Sequence, residues 1–186
     1  TQNDNHGIFL SRSDHNRITN STTNYNLNAG ILLTRSDDNE VINNLMNDNS
    51  FYGFRSITSY RNMIKGNIVD NNEVYGIHLA SSSNNNQLVN NTIINNDYAG
   101  IYLKAWVGDN ILHNNTVDNN PYGIYLDTYN SGNEVAGGVI SASSDTGIYI
   151  LDNSNNNVFK DFQIFGSGNY DIYISDQTNP CTGNVF

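Results

Sequence analysis

Residues 76–79, 100–103 and 123–126 read GIHL, GIYL and GIYL, and this four-residue pattern is the basis for assigning a fold. A Gly-Ile pair, or Gly-Phe in one case, recurs every 23 or 24 residues along the chain. The pairs begin at Gly7, Gly30, Gly53, Gly76, Gly100, Gly123 and Gly147, and Asp171-Ile172 holds the eighth position. A fixed period of this length is typical of a solenoid, in which each repeat stacks on its neighbour.

Two further apolar positions recur in every repeat. The first lies two residues after an Asn and comprises Ile18, Val41, Ile64, Leu88, Leu112, Val135 and Phe159. The second lies five residues later and comprises Thr23, Met46, Val69, Ile93, Val117, Ile140 and Ile164. Each position belongs to a short alternating segment, so one repeat contains three short strands. We therefore predict an all-β fold, a right-handed single-stranded parallel β-helix of about seven to eight coils.

Asparagine occupies fixed positions at the expected bends. One column comprises Asn44, Asn67, Asn91 and Asn115, and a second comprises Asn26, Asn49, Asn72, Asn96 and Asn120. An Asn side chain at a bend can turn inward and bond the equivalent Asn one coil away. We predict an asparagine ladder at the first column and the next bend at the second. A leucine-rich repeat has a similar period, but its Leu-x-x-Leu-x-Leu framework and its helix formers are missing.

Composition limits the domain organisation and the partners. No linker divides residues 1–186, so we expect one β-helix domain, as part of a longer protein or as a subunit that stacks end to end. The net charge of −10, with only eight Lys and Arg, argues against nucleic-acid binding. No apolar run approaches the roughly 18 residues of a membrane span. The acidic composition suits an extracellular, cell-surface or periplasmic protein, and Cys181, the single cysteine, rules out an intrachain disulfide.

The elements G-I-x-L, S-x-x-N-x-I and N-N-x-x-x-x-N, seen at residues 76–79, 83–88 and 90–96, resemble the parallel β-helix repeat family. This family is found in NosD-like proteins and in carbohydrate-binding and sugar-hydrolase domains of bacterial and archaeal surface proteins. The resemblance covers almost the whole chain and implies a polysaccharide or cell-wall glycan as partner. Its members include polysaccharide lyases, epimerases, glycoside hydrolases, surface-layer proteins and accessory proteins of copper-enzyme maturation.

The enzyme motifs of that family are not evident in this chain. Mannuronan epimerase-like members carry an Asp-Pro-His-type element, whereas Pro121 and Pro180 lie in Asn-Pro-Tyr and Asn-Pro-Cys. Polygalacturonase-like members group acidic residues on one strand face, and here the adjacent pair Asp37-Asp38 lies in a turn. These differences weigh against an enzyme.

Aromatic residues occupy the outward positions of the first strand and the position before each glycine. The outward column is Phe9, Leu32, Arg55, His78, Tyr102, Tyr125, Tyr149 and Tyr173. Rings about 5 Å apart along one face could stack on sugar rings. The predicted ligand-binding residues are Tyr52, Tyr75, Tyr102, Tyr122, Tyr125, Tyr149, Tyr170 and Tyr173. Two other interpretations stay open, namely stabilisation of neighbouring strands and contact with another subunit.

Five polar residues within this stripe form the predicted catalytic set: Arg55, His78, Tyr102, Lys104 and Asp127. They occupy four successive coils, so their side chains can converge. A base such as Tyr102 or His78, with Arg55 or Lys104 as a neutralising cation, would suit proton abstraction beside a uronate carboxyl group. The same residues would also suit passive binding of an acidic sugar, or would be solvated surface.

No metal or other cofactor is predicted with a defined ligand set. The four histidines lie in different columns, and Asp70 and Asp118 lie two coils apart. A calcium ion between the turn carboxylates Asp14, Asp37 and Asp38 is the one metal site considered, and solubilising turn residues are the other interpretation.

Three hypotheses for function follow. The first is a binding module that contacts polysaccharide through the Tyr-rich face. The second is a polysaccharide lyase, epimerase or hydrolase domain, and the third is a self-assembling surface-layer, sheath or filament subunit that associates through its ends or its aromatic face.

Overall fold

In the residues that the structure describes, the regular secondary structure consists of short parallel β-strands. The computed structural model describes residue 3 and residues 5–175 and 179–186. Within those residues 21 strands, numbered in chain order, form three sheets that run side by side along the molecule. In the same part of the chain, no helix has the length and apolar character needed to cross a membrane.

Each sheet takes one strand from each successive coil. The first sheet contains β1 (Ile8–Ser11), β3 (Ala29–Thr34), β6 (Tyr52–Ile57), β9 (Tyr75–Ala80), β12 (Ala99–Lys104), β15 (Tyr122–Asp127), β18 (Thr146–Leu151) and β21 (Tyr170–Ser175). The second contains β2 (Arg17–Thr19), β4 (Glu40–Ile42), β7 (Met63–Lys65), β10 (Gln87–Val89), β13 (Ile111–His113), β16 (Glu134–Ala136) and β19 (Val158–Lys160). The third contains β5 (Leu45–Asn47), β8 (Ile68–Asp70), β11 (Thr92–Ile94), β14 (Thr116–Asp118), β17 (Val139–Ser141) and β20 (Gln163–Phe165).

Equivalent apolar side chains stack coil on coil to form the core. Ile77, Ile101 and Ile124 are paired in register in three adjacent parallel strands, and each is at most 2 % exposed. Val69, Ile93 and Val117 form the equivalent column in the third sheet. The predicted right-handed parallel β-helix, with three strands per coil and seven to eight coils, is confirmed.

Three asparagine ladders line the bends. In each, the side-chain amide of one coil donates to the Oδ1 of the next at 2.8–3.1 Å, for example Asn67 to Asn91 and Asn72 to Asn96. The ladder predicted at the first column is therefore confirmed, and the second column, predicted to mark the next bend, also forms stacked amides. The third ladder is formed by the Asn that precedes each second-sheet strand, as at Asn39 and Asn62, and was not expected from the sequence. Inward amides satisfy the backbone groups that a bend removes from the sheets.

The recurring glycine is required because the chain passes close to the coil above it. A Cβ added to Gly53 would lie 2.3 Å from Cγ1 of Val69 and 2.9 Å from the carbonyl oxygen of Gly76. A side chain at this position would therefore force the neighbouring coils to shift. This contact fixes the distance between the third sheet and the first-sheet strands that carry the aromatic residues next to each glycine.

Candidate functional site

The outward side chains of the first sheet form one continuous surface, which we call the aromatic face. Its main column runs Phe9, Leu32, Arg55, His78, Tyr102, Tyr125, Tyr149 and Tyr173, paired in register. Its second column includes Tyr52, Tyr75, Tyr122 and Tyr170. The side chains of the main column point outward because they alternate with the buried Ile and Leu of the same strands. Those of the second column lie two residues before the inward Ile or Phe, with the recurring glycine, or Asp171 in the last coil, between them. The structure thus places all eight predicted ligand-binding tyrosines on one surface.

The rings of the aromatic face pack mainly on one another. The centroids of Tyr75 and Tyr102 are 4.7 Å apart with an interplanar angle of 10°, and those of Tyr149 and Tyr173 are 5.0 Å apart. Tyr102 is only 5 % exposed, whereas Tyr170 at the end of the column is 53 % exposed. Contacts between rings on adjacent strands therefore cover much of the ring area, and the ring faces that stay exposed lie near the edges of the aromatic face.

Tyr98 belongs to the aromatic face and was not found from the sequence. Ala99 takes the position in the second column that tyrosine holds in the adjacent coils. The Tyr98 ring fills the space beside it, with centroids 5.5 Å from Tyr75 and 5.3 Å from Tyr122. The signal was present, because Tyr-Ala-Gly replaces Tyr-Gly in this repeat.

His78 points outward as predicted, but neighbouring rings cover it. Its ring lies 5.2 Å from Tyr52, 5.2 Å from Tyr75 and 5.0 Å from Tyr102, and the residue is 4 % exposed. Both ring nitrogens are buried without a hydrogen-bond partner. Burial, with smaller contributions from Arg55 and Lys104, lowers the pKa of His78 to about 3. The imidazole is therefore neutral at neutral pH.

Tyr102 belongs to a polar network with Lys104, Asp127 and Thr128. Its hydroxyl donates to Oδ2 of Asp127 at 2.6 Å, and the Thr128 hydroxyl donates to Oδ1 of the same carboxylate at 2.6 Å. Lys104 Nζ lies 3.6 Å from Oδ2 of Asp127 and 5.7 Å from the Tyr102 ring centroid. Burial and the bond to Asp127 raise the pKa of Tyr102 above its usual range, so its hydroxyl stays protonated.

Arg55 and Lys104 flank a cavity of about 300 Å³ in the aromatic face. Tyr52, Tyr75, His78 and Tyr102 line it, together with Ser81. The Arg55 guanidinium carbon lies 4.5 Å above the Tyr52 ring, and its Nε is buried without a hydrogen-bond partner. Among the described residues Arg55 has no ion pair, whereas Lys104 is paired with Asp127.

The five residues predicted as a catalytic set are thus brought together. Arg55, His78 and Tyr102 occupy one column on three successive coils. Lys104 and Asp127 face each other on the next pair of strands. The group combines a free cation, a neutral imidazole and a protonated phenol beside one cavity. Such a set can bind a carboxylate, and it contains a proton acceptor and a proton donor.

The turn carboxylates considered for calcium have other partners. Asp14 Oδ1 accepts the Asp37 backbone N–H at 2.7 Å, and Asp37 Oδ1 accepts the Tyr60 N–H at 2.9 Å. The Arg61 guanidinium donates to both carboxylate oxygens of Asp38 at 2.9 and 2.7 Å and lowers the pKa of Asp38. Because a cation already neutralises this turn, the geometry does not favour a calcium site there.

The repeat, the three parallel sheets and the asparagine ladders define the class of the chain, a right-handed parallel β-helix protein. A family model described as periplasmic copper-binding protein (NosD) matches residues 1–137 and again residues 97–186. The chain therefore belongs to the NosD family. None of the curated proteins matches it in sequence.

Solved structures with the same architecture include epimerases that act on alginate or mannuronan. The periplasmic alginate epimerase AlgG superposes with a TM-score of 0.81 at 19 % identity, covering 97 % of this chain and 46 % of AlgG. The A-module of the mannuronan C-5 epimerase AlgE4 of Azotobacter vinelandii gives 0.75 at 17 % identity, covering 97 % of this chain and 55 % of that one. The chain thus spans about half the length of these structures. At these identities the likeness shows a shared fold.

The donor groups of the described residues do not fit a copper site. In that part of the chain no three His, Cys, Asp or Glu side chains lie close enough to hold a metal ion. Of the sulfur ligands that copper favours, Met46 is fully buried in the core, Met63 is half-buried on the second sheet, and Cys181 is the single cysteine.

Proposed function

We propose that this chain recognises an acidic, uronate-containing polysaccharide at the cavity between Arg55 and Lys104, in the periplasm or outside the cell. The observation that carries the proposal is the pair of cations beside a cavity lined by rings, on a chain whose net charge is −10. An acidic chain repels polyanions in general. A local cationic cavity therefore serves as a specific place for a carboxylate.

Arg55 is the residue best suited to hold the carboxylate. Its planar guanidinium can bind a carboxylate through two parallel hydrogen bonds, which lysine cannot do. The Tyr52 ring beneath it fixes the plane of the fork. Because the guanidinium is partly buried and has no ion pair among the described residues, a bound carboxylate would be its charge partner at low local dielectric.

The rest of the aromatic face provides length for a polymer. Main-column rings continue from the cavity through Tyr125, Tyr149 and Tyr173 at centroid spacings of 4.9–5.1 Å. Tyrosine combines an apolar ring with a hydroxyl that can bond to sugar hydroxyls. The structural neighbours are alginate and mannuronan epimerases, and the NosD family is described as periplasmic, which supports this substrate class and location.

A second candidate function at the same cavity is proton transfer at C5 of a uronate, as in an epimerase or lyase. The neutral His78 imidazole can accept a proton and the protonated Tyr102 hydroxyl can donate one, and their rings lie 5.0 Å apart beside Arg55. Arg55 would neutralise the carboxylate and so acidify the C5 hydrogen. Burial makes His78 a weak base and covers its nitrogens with tyrosine rings, so this role requires a ring to move when the polymer binds. It also requires the Tyr102 hydroxyl to give up its hydrogen bond to Asp127.

Calorimetric titration with oligomannuronate, oligoguluronate and oligogalacturonate tests the binding proposal. We expect Arg55→Gln to weaken binding about tenfold or more, since one charge-assisted bidentate contact is lost. Arg17→Gln is the matched control, because Arg17 is exposed on the second sheet and pairs with Glu40. Equal affinities for Arg55→Gln and the native chain, or binding to none of the three uronates, would refute the proposal.

Incubation of the same polymers in deuterated water tests the catalytic candidate. Exchange of the C5 hydrogen, a change in epimer ratio or the ultraviolet absorbance of unsaturated uronate would each report the reaction. We expect His78→Phe to abolish any such signal while uronate binding persists. Binding without exchange in the native chain would leave recognition as the function of the cavity.

Self-association, the third hypothesis for function, is tested by light scattering of the native chain.

A further inference from the structure

A second aromatic site lies in the turns that follow the first-sheet strands. Trp106, the only tryptophan of the chain, and Tyr129 occupy equivalent positions on adjacent coils. Their rings are stacked at 5.4 Å with an interplanar angle of 13°, and the residues are 62 % and 41 % exposed. Within the described part of the chain no third ring packs on this pair. The outer ring faces of this stacked pair, which we call the Trp106–Tyr129 plate, are therefore open to solvent.

The plate borders a cavity of about 360 Å³ that contains no charged side chain. Asn84, Ser131, Asn153 and Asn155 supply its polar lining, and Gly108 lies between them. A Cβ on Gly108 would come within 2.6 Å of the Ser131 carbonyl oxygen, so close approach of the next coil requires glycine here. The missing side chain leaves the space between Asn84 and Ser131 open.

Existing hydrogen bonds orient the polar groups of this cavity. Asn84 Oδ1 accepts the Gly108 N–H at 2.8 Å, and Asn155 Oδ1 accepts the Thr182 N–H at 2.6 Å. With each carbonyl oxygen fixed, the NH₂ groups of Asn84 and Asn155 are held as donors. Ser131 Oγ accepts the Asn155 N–H at 3.3 Å and keeps its own O–H to donate. The site therefore presents neutral donors next to an aromatic plate.

The backbone at the plate is unfavourable for large side chains. Trp106 has a φ of 59° and Tyr129 a φ of 62°, both in the left-handed region that favours Gly, Asn and Asp. Ser82 and Asn153 hold the equivalent positions on the flanking coils, with φ of 62° and 56°. A small or amide side chain thus meets the demands of this turn, whereas exposed rings add no core packing. Large rings held in such a conformation, with only each other to pack against, point to a function.

We propose that the Trp106–Tyr129 plate binds a neutral hexopyranose unit of a glycan. The apolar face of the sugar ring would lie on an outer ring face of this stacked pair, and its hydroxyls would accept hydrogen bonds from the amides of Asn84, Asn153 and Asn155. The lack of charge distinguishes this site from the Arg55–Lys104 cavity, which takes a carboxylate. The two sites recognise different chemistry and stand independently of each other.

Intrinsic fluorescence tests this site alone, because Trp106 is the single tryptophan. The probes are cellohexaose, maltohexaose, laminarihexaose and mannohexaose, each titrated into the native chain. We expect a saturable change in emission with at least one of them. Tyr129→Ala should weaken that association about tenfold. Tyr25→Ala should leave it within about twofold, since Tyr25 is also exposed (61 %) with a left-handed φ of 58° but lies in another turn.

Arg55→Gln separates this proposal from the one above. It should leave the response to the neutral hexasaccharides unchanged while it weakens uronate binding. Far-ultraviolet circular dichroism of each variant confirms that the β-helix is retained. No saturable response to any of the four probes, or equal affinities for Tyr129→Ala and the native chain, would overturn the Trp106–Tyr129 site.

Discussion

Replacing Asn67 with alanine should be among the most destabilising single changes in this chain. Asn67 Oδ1 accepts the backbone N–H and the side-chain amide of Asn44 at 2.9 and 3.1 Å. Its own amide donates to the Val41 carbonyl at 2.9 Å and to Asn91 Oδ1 at 3.0 Å. All four bonds are buried, and alanine removes them while it leaves their partners in the interior. At about 1 kcal/mol net for each bond, the loss is about 4 kcal/mol.

Urea unfolding followed by circular dichroism measures this loss. Asn169→Ala is the matched control, because Asn169 is exposed and makes one side-chain bond, to Asp145 at 3.1 Å. We expect that control to change the free energy of unfolding by less than about 0.5 kcal/mol. Comparable m values for the variants would allow the two changes to be compared directly. A loss below about 1 kcal/mol for Asn67→Ala would refute the assignment of stability to the ladder.

Three further changes test the aromatic face and the packing beneath it. The pKa of His78 is lowered to about 3 in the folded chain, so as pH falls through 6.5 this histidine takes up a proton in the unfolded chain first. Between about pH 7 and 5, the free energy of unfolding of the native chain, measured with urea, should therefore fall by about 2 kcal/mol more than that of His78→Phe. Tyr102→Phe should lower the thermal midpoint, with a cost of about 1–2 kcal/mol, since it removes the hydroxyl bond to Asp127. Gly53→Ala should cost about 1–3 kcal/mol in the same urea assay because its Cβ meets Val69; no change would contradict the close approach.

The fold could be predicted because the period is fixed and its apolar positions coincide in every coil. Alignment on Gly-Ile was enough to place Ile77, Ile101 and Ile124 in register. The ladder through Asn39 and Asn62 was missed, although its column was visible. Whether an Asn side chain at a bend turns inward depends on backbone dihedral angles, and the sequence pattern does not specify them.

The sequence was enough to predict which side chains of the candidate site share one outer surface, but not how deeply each of them is buried. The columns that carry Arg55, His78 and Tyr102 followed from strand alternation alone. The burial of His78 did not, because an outward side chain is covered or exposed according to the size and offset of the rings on adjacent coils. Trp106 and Tyr129 were missed because they lie in turns, outside the alternating segments on which the columns were built.

A crystal structure of the chain with a bound oligouronate would locate the proposed binding site. We predict a sugar carboxylate on the Arg55 guanidinium, with N–O distances of about 2.7–2.9 Å, next to Tyr75 and Tyr102. An ordered oligouronate on another surface, with the space between Arg55 and Lys104 empty, would contradict it.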